Sequence, residues 1–228
     1  MKVYGLAVLS AVLLAACNQS RAPVAPPSAA AAPEAPVMGP ERHILALGDS
    51  LFAGYGVRFG ESYPAKLELA LRAHGVNARI ANAGVSGDTS ADGLARLAFT
   101  LNSQSQTPDL VIISLGGNDM LRGLSPGQTR ANLDAIVSEL AQRNIPVVLM
   151  GMLAPPNMGP EYRGKFDAIY PDLAEQHHVS LVPFFLKAVF DKPDLIQADH
   201  IHPTARGIEE IVAATTYAVE GEMVAGGN

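Results

Sequence analysis

The chain has 228 residues, 48% of them hydrophobic, enough to bury one sizeable core, so a single domain is the default expectation. Its 22 acidic side chains against 16 basic ones give a formal charge of -6, with no run of Lys or Arg. That balance argues against binding a phosphate backbone, and no nucleic-acid partner is expected.

At the amino terminus, Lys2 precedes an apolar stretch over residues 3–16. It is too short to span a bilayer comfortably and suits the core of a signal peptide. Its end, "LLAAC", resembles a bacterial lipoprotein signal, in which the cysteine becomes the lipidated first residue of the mature chain. Cys17 is the only cysteine. An exported chain with one cysteine forms no internal disulfide, and lipidation accounts for a thiol otherwise left free. Cleavage after "LAA" to give a soluble periplasmic protein is the alternative. Residues 18–40, "NQSRAPVAPPSAAAAPEAPVMGP", are Ala/Pro-rich and nearly free of large apolar side chains, so they read as an extended tether. The expected organisation is a signal over 1–17, a tether over 18–40, a folded domain over 41–222 and a short tail over 223–228. The expected location is the periplasmic side of a bacterial membrane, held there by lipid.

Apolar runs of strand length recur at 44–47, 78–81, 110–115, 146–150 and 180–182, with helix-period segments between them. "SYPAKLELALRAHG" offers Ser62 as N-cap, Leu67, Ala70 and Leu71 on one face, and Gly75 as the stop. "SPGQTRANLDAIVSELAQRN" offers Ser125 as N-cap, Pro126 at the first helical position, a capping box closed by Gln128, and a stripe of Leu133, Ile136, Val137 and Leu140. His177 and His178 read as polar residues at a helix C-terminus. Strands alternating with helices of this length predict right-handed crossovers and a parallel sheet covered on both faces. The expected class is α/β: a three-layer α/β/α sandwich with a five-stranded parallel sheet.

Four loops carry unusual polar or glycine content: "GDSLFAGYG", "NAGVSGDT", "GGND" and "DHIHP". In such a sheet they converge at the carboxyl edge, where open α/β sheets bind ligands. Each also has a plain structural reading. Ser50 would stand at the end of the first strand, as a nucleophile or as a helix cap; the G-x-S-x-G elbow is absent, because Phe52 holds the place of the second glycine. "NAGVSGDT" is neither a P-loop nor a dinucleotide fingerprint, and Gly84 as an N–H donor to an oxyanion fits it better. Asn118 is a turn residue or a side-chain donor into the crevice. Asp199 and His202, three apart, allow the carboxylate to reach Nδ1 and leave Nε2 to face Ser50, with Pro203 starting the last helix. His200 and His202 form an H-x-H pair, but no third ligand has evident spacing, so no metal is expected.

Together these loops resemble the SGNH (GDSL) hydrolase family, over nearly the whole domain. The resemblance implies a flavodoxin-like sheet, Ser50 as nucleophile, Asp199 and His202 completing a triad, and an oxyanion hole made of the Ser50 N–H, the Gly84 N–H and the Asn118 amide. The blocks look most like the branch of acyl-CoA thioesterase I, lysophospholipase L1 and arylesterase; His200 departs from it, standing where that branch has glycine. The implied activity is hydrolysis of carboxylic esters and thioesters through an acyl-enzyme, with no cofactor. A small-molecule or lipid ester is the implied substrate and a monomer the expected state. In "MGMLAPPNMGPEYRGKF", Leu153, Pro155, Met158 and Tyr162 are candidate acyl-groove residues, against the reading of a Pro-rich surface loop. The alternatives are a cell-wall carbohydrate O-acetyl esterase and a non-catalytic binding lipoprotein.

Overall fold

The computed structural model describes residues 37–225. The signal segment with Cys17, most of the tether and the last three residues lie outside them. The first strand, β1 (Arg42–Gly48), leads through Asp49 into a single turn of helix, α1 (Ser50–Ala53), and then α2 (Tyr63–Ala73) and β2 (Ala78–Gly84). Next come α3 (Ser90–Asn102), β3 (Leu110–Ser114), α4 (Gly117–Leu121), α5 (Pro126–Gln142) and β4 (Val147–Met150). The chain finishes with α6 (Pro160–Asp167), α7 (Ile169–His177), β5 (Ser180–Val182) and α8 (Ala205–Ala225), which runs past the expected boundary at 222.

The five strands are all parallel, in the order β2-β1-β3-β4-β5. The three inner strands read as continuous apolar runs because both their faces are covered: every residue of β3 and of β4 is buried. One group of helices pairs α2 with α8; the other joins α3, α5, α6 and α7. The stripe expected on α5 is the one the fold buries, with Leu133, Ile136, Val137 and Leu140 fully enclosed.

Chain reversal in strand order between β1 and β3 leaves a crevice at the carboxyl edge, the switch point at which doubly wound sheets place their sites. Phe52, the residue that breaks the familiar elbow, explains how α1 is held there. Its ring is fully buried, stacked on Tyr63 at 5.3 Å and edge-on to Phe185 at 5.8 Å, and Tyr63 in turn hydrogen-bonds Thr215 at 2.8 Å. The short helix that begins at Ser50 is thus anchored by an aromatic cluster.

Three local expectations are corrected. Ser125 and Ser62 occupy N-cap positions, but neither side chain caps its helix, so the box with Gln128 does not form; the Gln128 N–H bonds the Ser125 carbonyl instead. The capping box lies at α3, where Thr89 and Asp92 exchange hydrogen bonds. Pro203 does not begin the last helix. It bridges Ile196 in antiparallel fashion, and the Gly207 N–H bonds Thr204 Oγ1, so the helix starts after Thr204.

Candidate active site

Asp49, not Ser50, caps α1: its Oδ1 accepts the Leu51 N–H at 3.0 Å. That frees the Ser50 hydroxyl, which lies 2.8 Å from His202 Nε2, while His202 Nδ1 lies 2.7 Å from Asp199 Oδ2. The same carboxylate also receives the backbone N–H groups of Ile201 and His202, both at 3.0 Å. Bonds from the His202 backbone and ring, then from the Ile201 N–H, hold Asp199 down at about 2, so it is a carboxylate at any working pH. A carboxylate only accepts. Nδ1 must therefore carry the proton, and Nε2 of the neutral ring is left to accept from the Ser50 hydroxyl. Tyr55 lies over the imidazole, with ring centroids 4.5 Å apart.

Asn118, on α4, enters from the third loop. Its Nδ2 donates to the Asp88 carbonyl at 2.9 Å and approaches Asp49 Oδ2 at 3.3 Å. The second loop is held from several sides: Arg122 donates to the Gly87 carbonyl at 2.7 Å, and Arg96 reaches both Asp88 at 2.6 Å and the Gly48 carbonyl at 2.9 Å.

The structure does not bring Gly84 to the crevice. As the last residue of β2 its N–H is taken by Asn82 Oδ1 at 2.9 Å, and it is glycine because a Cβ there would stand 2.3 Å from the Ala53 nitrogen. Of the two glycines in this block, Gly87 is the one that lines the cavity. It sits in a turn closed by the Asp88 N–H on the Val85 carbonyl, at φ +90°, a conformation that favours glycine. Neither the Ser50 nor the Gly87 N–H has a hydrogen-bond partner among the described residues.

The cavity in front of Ser50 measures about 430 Å³. Leu153 and Pro155 line it as expected, whereas Met158 and Tyr162 do not. Those two pack against the core, and the Tyr162 hydroxyl donates to the Leu124 carbonyl at 3.0 Å. Residues the sequence reading left out complete the wall: Met120 and Leu121 on α4, Phe184 and Leu186 after β5, and Ile201 between Asp199 and His202. The strand-end rule that singled out the loop after β4 applies equally to "PFFL" after β5, and would have found them. His200 also lines the cavity, at φ 61°, a backbone state that non-glycine residues adopt at some strain. Among the described residues no three His, Cys, Asp or Glu side chains gather as a metal-ligand set.

With this geometry in place, comparison with known proteins is direct: residues 46–209 match the GDSL-like lipase/acylhydrolase family. The chain belongs to that family. It is 44% identical to an arylesterase of Vibrio mimicus over 160 residues, covering 70% of this chain and 79% of the relative. It is 42% identical to the thioesterase 1/protease 1/lysophospholipase L1 of Escherichia coli K12, covering 70% of this chain and 74% of that one. Among solved structures, AlinE4, an SGNH-hydrolase family esterase, is 65% identical with a TM-score of 0.70, covering 81% of this chain and 97% of AlinE4. The family member described here is therefore a serine esterase, a carboxylic ester hydrolase with the α/β fold of SGNH hydrolases.

One buried group beside the site titrates in an accessible range. Burial pushes the Asp49 carboxyl up to about 6, against the lowering effect of the Leu51 N–H and the charge of His202. The folded state then holds this proton more tightly than the unfolded chain does between pH 4 and 6. Its stabilising contribution is complete below about 4 and is lost as pH rises through 6. The difference between about 6 and the usual 3.8 corresponds to on the order of 3 kcal/mol. Asp49→Asn removes the titration, so its unfolding free energy should gain on the parent by up to that amount between pH 4 and pH 7. Denaturant titrations of both proteins at the two pH values measure this, and a constant gap would show that Asp49 does not titrate there.

Proposed function

We propose that the chain hydrolyses acyl esters and thioesters by nucleophilic catalysis at Ser50. The carrying observation is the relay in which Ser50 Oγ lies 2.8 Å from His202 Nε2 and His202 Nδ1 lies 2.7 Å from Asp199. His202 takes the hydroxyl proton as Oγ attacks the carbonyl carbon, and Asp199 orients the ring and offsets its positive charge. The carbonyl oxygen becomes an oxyanion, received by the N–H groups of Ser50 and Gly87 and by Asn118 Nδ2, which exchanges its longer, 3.3 Å bond to Asp49 for this one and keeps the bond to the Asp88 carbonyl. His202 then gives its proton to the departing alcohol or thiol, leaving an acyl-Ser50 ester. Water, deprotonated by the same imidazole, attacks that ester, and as the acyl–Oγ bond breaks His202 returns the proton to Ser50 Oγ, releasing the acid and restoring the resting site.

The wall built by Met120, Leu121, Leu153, Phe184, Leu186 and Ile201 supports an acyl group of several carbons over acetyl, because each buried methylene adds favourable transfer energy. A fluorophosphonate probe should label the purified protein at Ser50, and turnover of p-nitrophenyl esters should rise from acetyl to medium-chain acyl groups. Activity highest on acetylated sugars would transfer the assignment to the carbohydrate esterase reading.

The same proposal places the enzyme at a membrane surface through Cys17, which lies outside the described residues. A single acyl chain binds a membrane only reversibly, so a lipoprotein anchor with several chains is the form that would hold it there. The mature N-terminal peptide should begin at Cys17 and carry the added mass of acyl chains. Mass spectrometry of that peptide decides the point, and an unmodified Cys17 refutes the anchor.

A further inference from the structure

Besides Asp49, which caps α1, the mechanism above leaves one buried carboxylate unused. Asp119 directly follows Asn118 and is 1% exposed. A carboxylate in that position is costly unless its oxygens are fully hydrogen-bonded. Here the donors are neutral: the Ser90 N–H at 2.7 Å on one oxygen, and Ser90 Oγ at 2.5 Å with Thr129 Oγ1 at 3.1 Å on the other. Asn132 Nδ2 donates to Ser90 Oγ at 2.9 Å and fixes its rotamer. Asp119 therefore ties α4 to the amino end of α3 and to the first half of α5. The short distances to Ser90 are those of charge-assisted bonds.

The position of this knot gives it a second consequence. Asn118 grips residue 88 through its carbonyl at 2.9 Å, and Asp119 grips residue 90 through its N–H at 2.7 Å. Two consecutive residues of α4 thus clasp the segment just after Gly87, at Asp88 in the loop and at Ser90 where α3 begins. Gly87 and Asn118 come from different loops, so nothing within either loop alone fixes the separation of their donors.

We propose that Asp119 is a positioning residue of the oxyanion hole, holding the Gly87 N–H and Asn118 Nδ2 at the spacing the tetrahedral oxygen requires. The proposal rests on the reading of Gly87 and Asn118 as oxyanion donors. Preorganised donors act only when held to a fraction of an ångström, so loosening the clasp slows the chemical step and spares ground-state binding.

The test is a double-mutant cycle on the full chain, with Asp119→Asn made alone and in the Asn118→Ala background. Asp119→Asn keeps the size of the side chain but replaces one acceptor with a donor facing two hydroxyls. Alone it should lower kcat about tenfold with KM within about twofold, a coupling of the size seen between residues in contact. In the Asn118→Ala background the same change should lower kcat by less than about threefold, because one of the two donors it aligns is gone. Ser90→Ala, which removes one partner and keeps the N–H bond, provides a second variant should Asp119→Asn not fold; it should show the same pattern with a smaller loss. An equal loss in both backgrounds, unchanged kcat, or a rise in KM alone would make Asp119 a structural knot only and overturn the proposal. Failure of the underlying reading shows separately, as an Asn118→Ala single variant with undiminished kcat.

Discussion

Ser50→Ala is expected to abolish measurable ester turnover while leaving the fold and substrate affinity largely intact. The hydroxyl is the only atom removed. Asp49, which caps α1, and Phe52, which anchors it in the aromatic cluster, are untouched, so the loop keeps its shape. Without Oγ there is no nucleophile for His202 to activate. What remains is stabilisation of the oxyanion by its donors, the backbone N–H of residue 50 included, and binding of the acyl group, which in comparable triads leaves only about 10³ to 10⁴ over the uncatalysed rate. Circular dichroism checks the fold, and initial rates on a p-nitrophenyl ester check the chemistry. Turnover within tenfold of the parent would remove Ser50 from the nucleophile role, and labelling by fluorophosphonate in this variant would point to a different residue.

Much of this arrangement is legible in the amino-acid sequence. The three inner strands were visible as apolar runs because a doubly covered sheet leaves no room for alternation, the two edge strands, only partly buried, as short apolar segments, and the α5 stripe because a helix resting on that sheet buries one face. For Ser50, at the end of a strand, and for Asp199 and His202, three apart before the last helix, residue type and spacing only permitted a relay, and the resemblance to a family supplied their roles. What could not be read was which glycine faces the crevice. Gly84 and Gly87 stand three apart in one stretch of sequence, one at the end of β2 and required by the packing of α1, the other in a turn at positive φ, and sequence alone assigns neither reason. Capping failed for a similar cause. Ser62 and Ser125 satisfy the pattern, but their hydroxyls do not take the available N–H groups, whereas Thr89 and Asp92 do. The acyl wall was half legible: Leu153 and Pro155 reach the cavity, and Tyr162, whose hydroxyl is drawn to the Leu124 carbonyl, does not.

The assignment of the oxyanion hole predicts a second large effect. Asn118 donates from a side chain, whereas Ser50 and Gly87 would donate through the backbone, so Asn118 is the donor that substitution deletes cleanly. Asn118→Ala should lower kcat by about 10² to 10³, or roughly 2.7 to 4 kcal/mol of transition-state stabilisation, with KM little changed. The separation follows from when the charge appears. The ground-state carbonyl oxygen carries little charge and is bound mainly through its acyl chain, while the full negative charge exists only after Ser50 attacks. Loss of the amide also releases the Asp88 carbonyl, to which it donates at 2.9 Å, but Arg96 and the Thr89 capping box still hold that loop. The Gly87 donor should therefore survive the substitution, and some catalysis with it. Steady-state kinetics across a range of ester concentrations distinguish the outcomes: a variant that kept kcat and raised KM would show Asn118 binding ground-state substrate, and would leave the oxyanion to the two backbone donors.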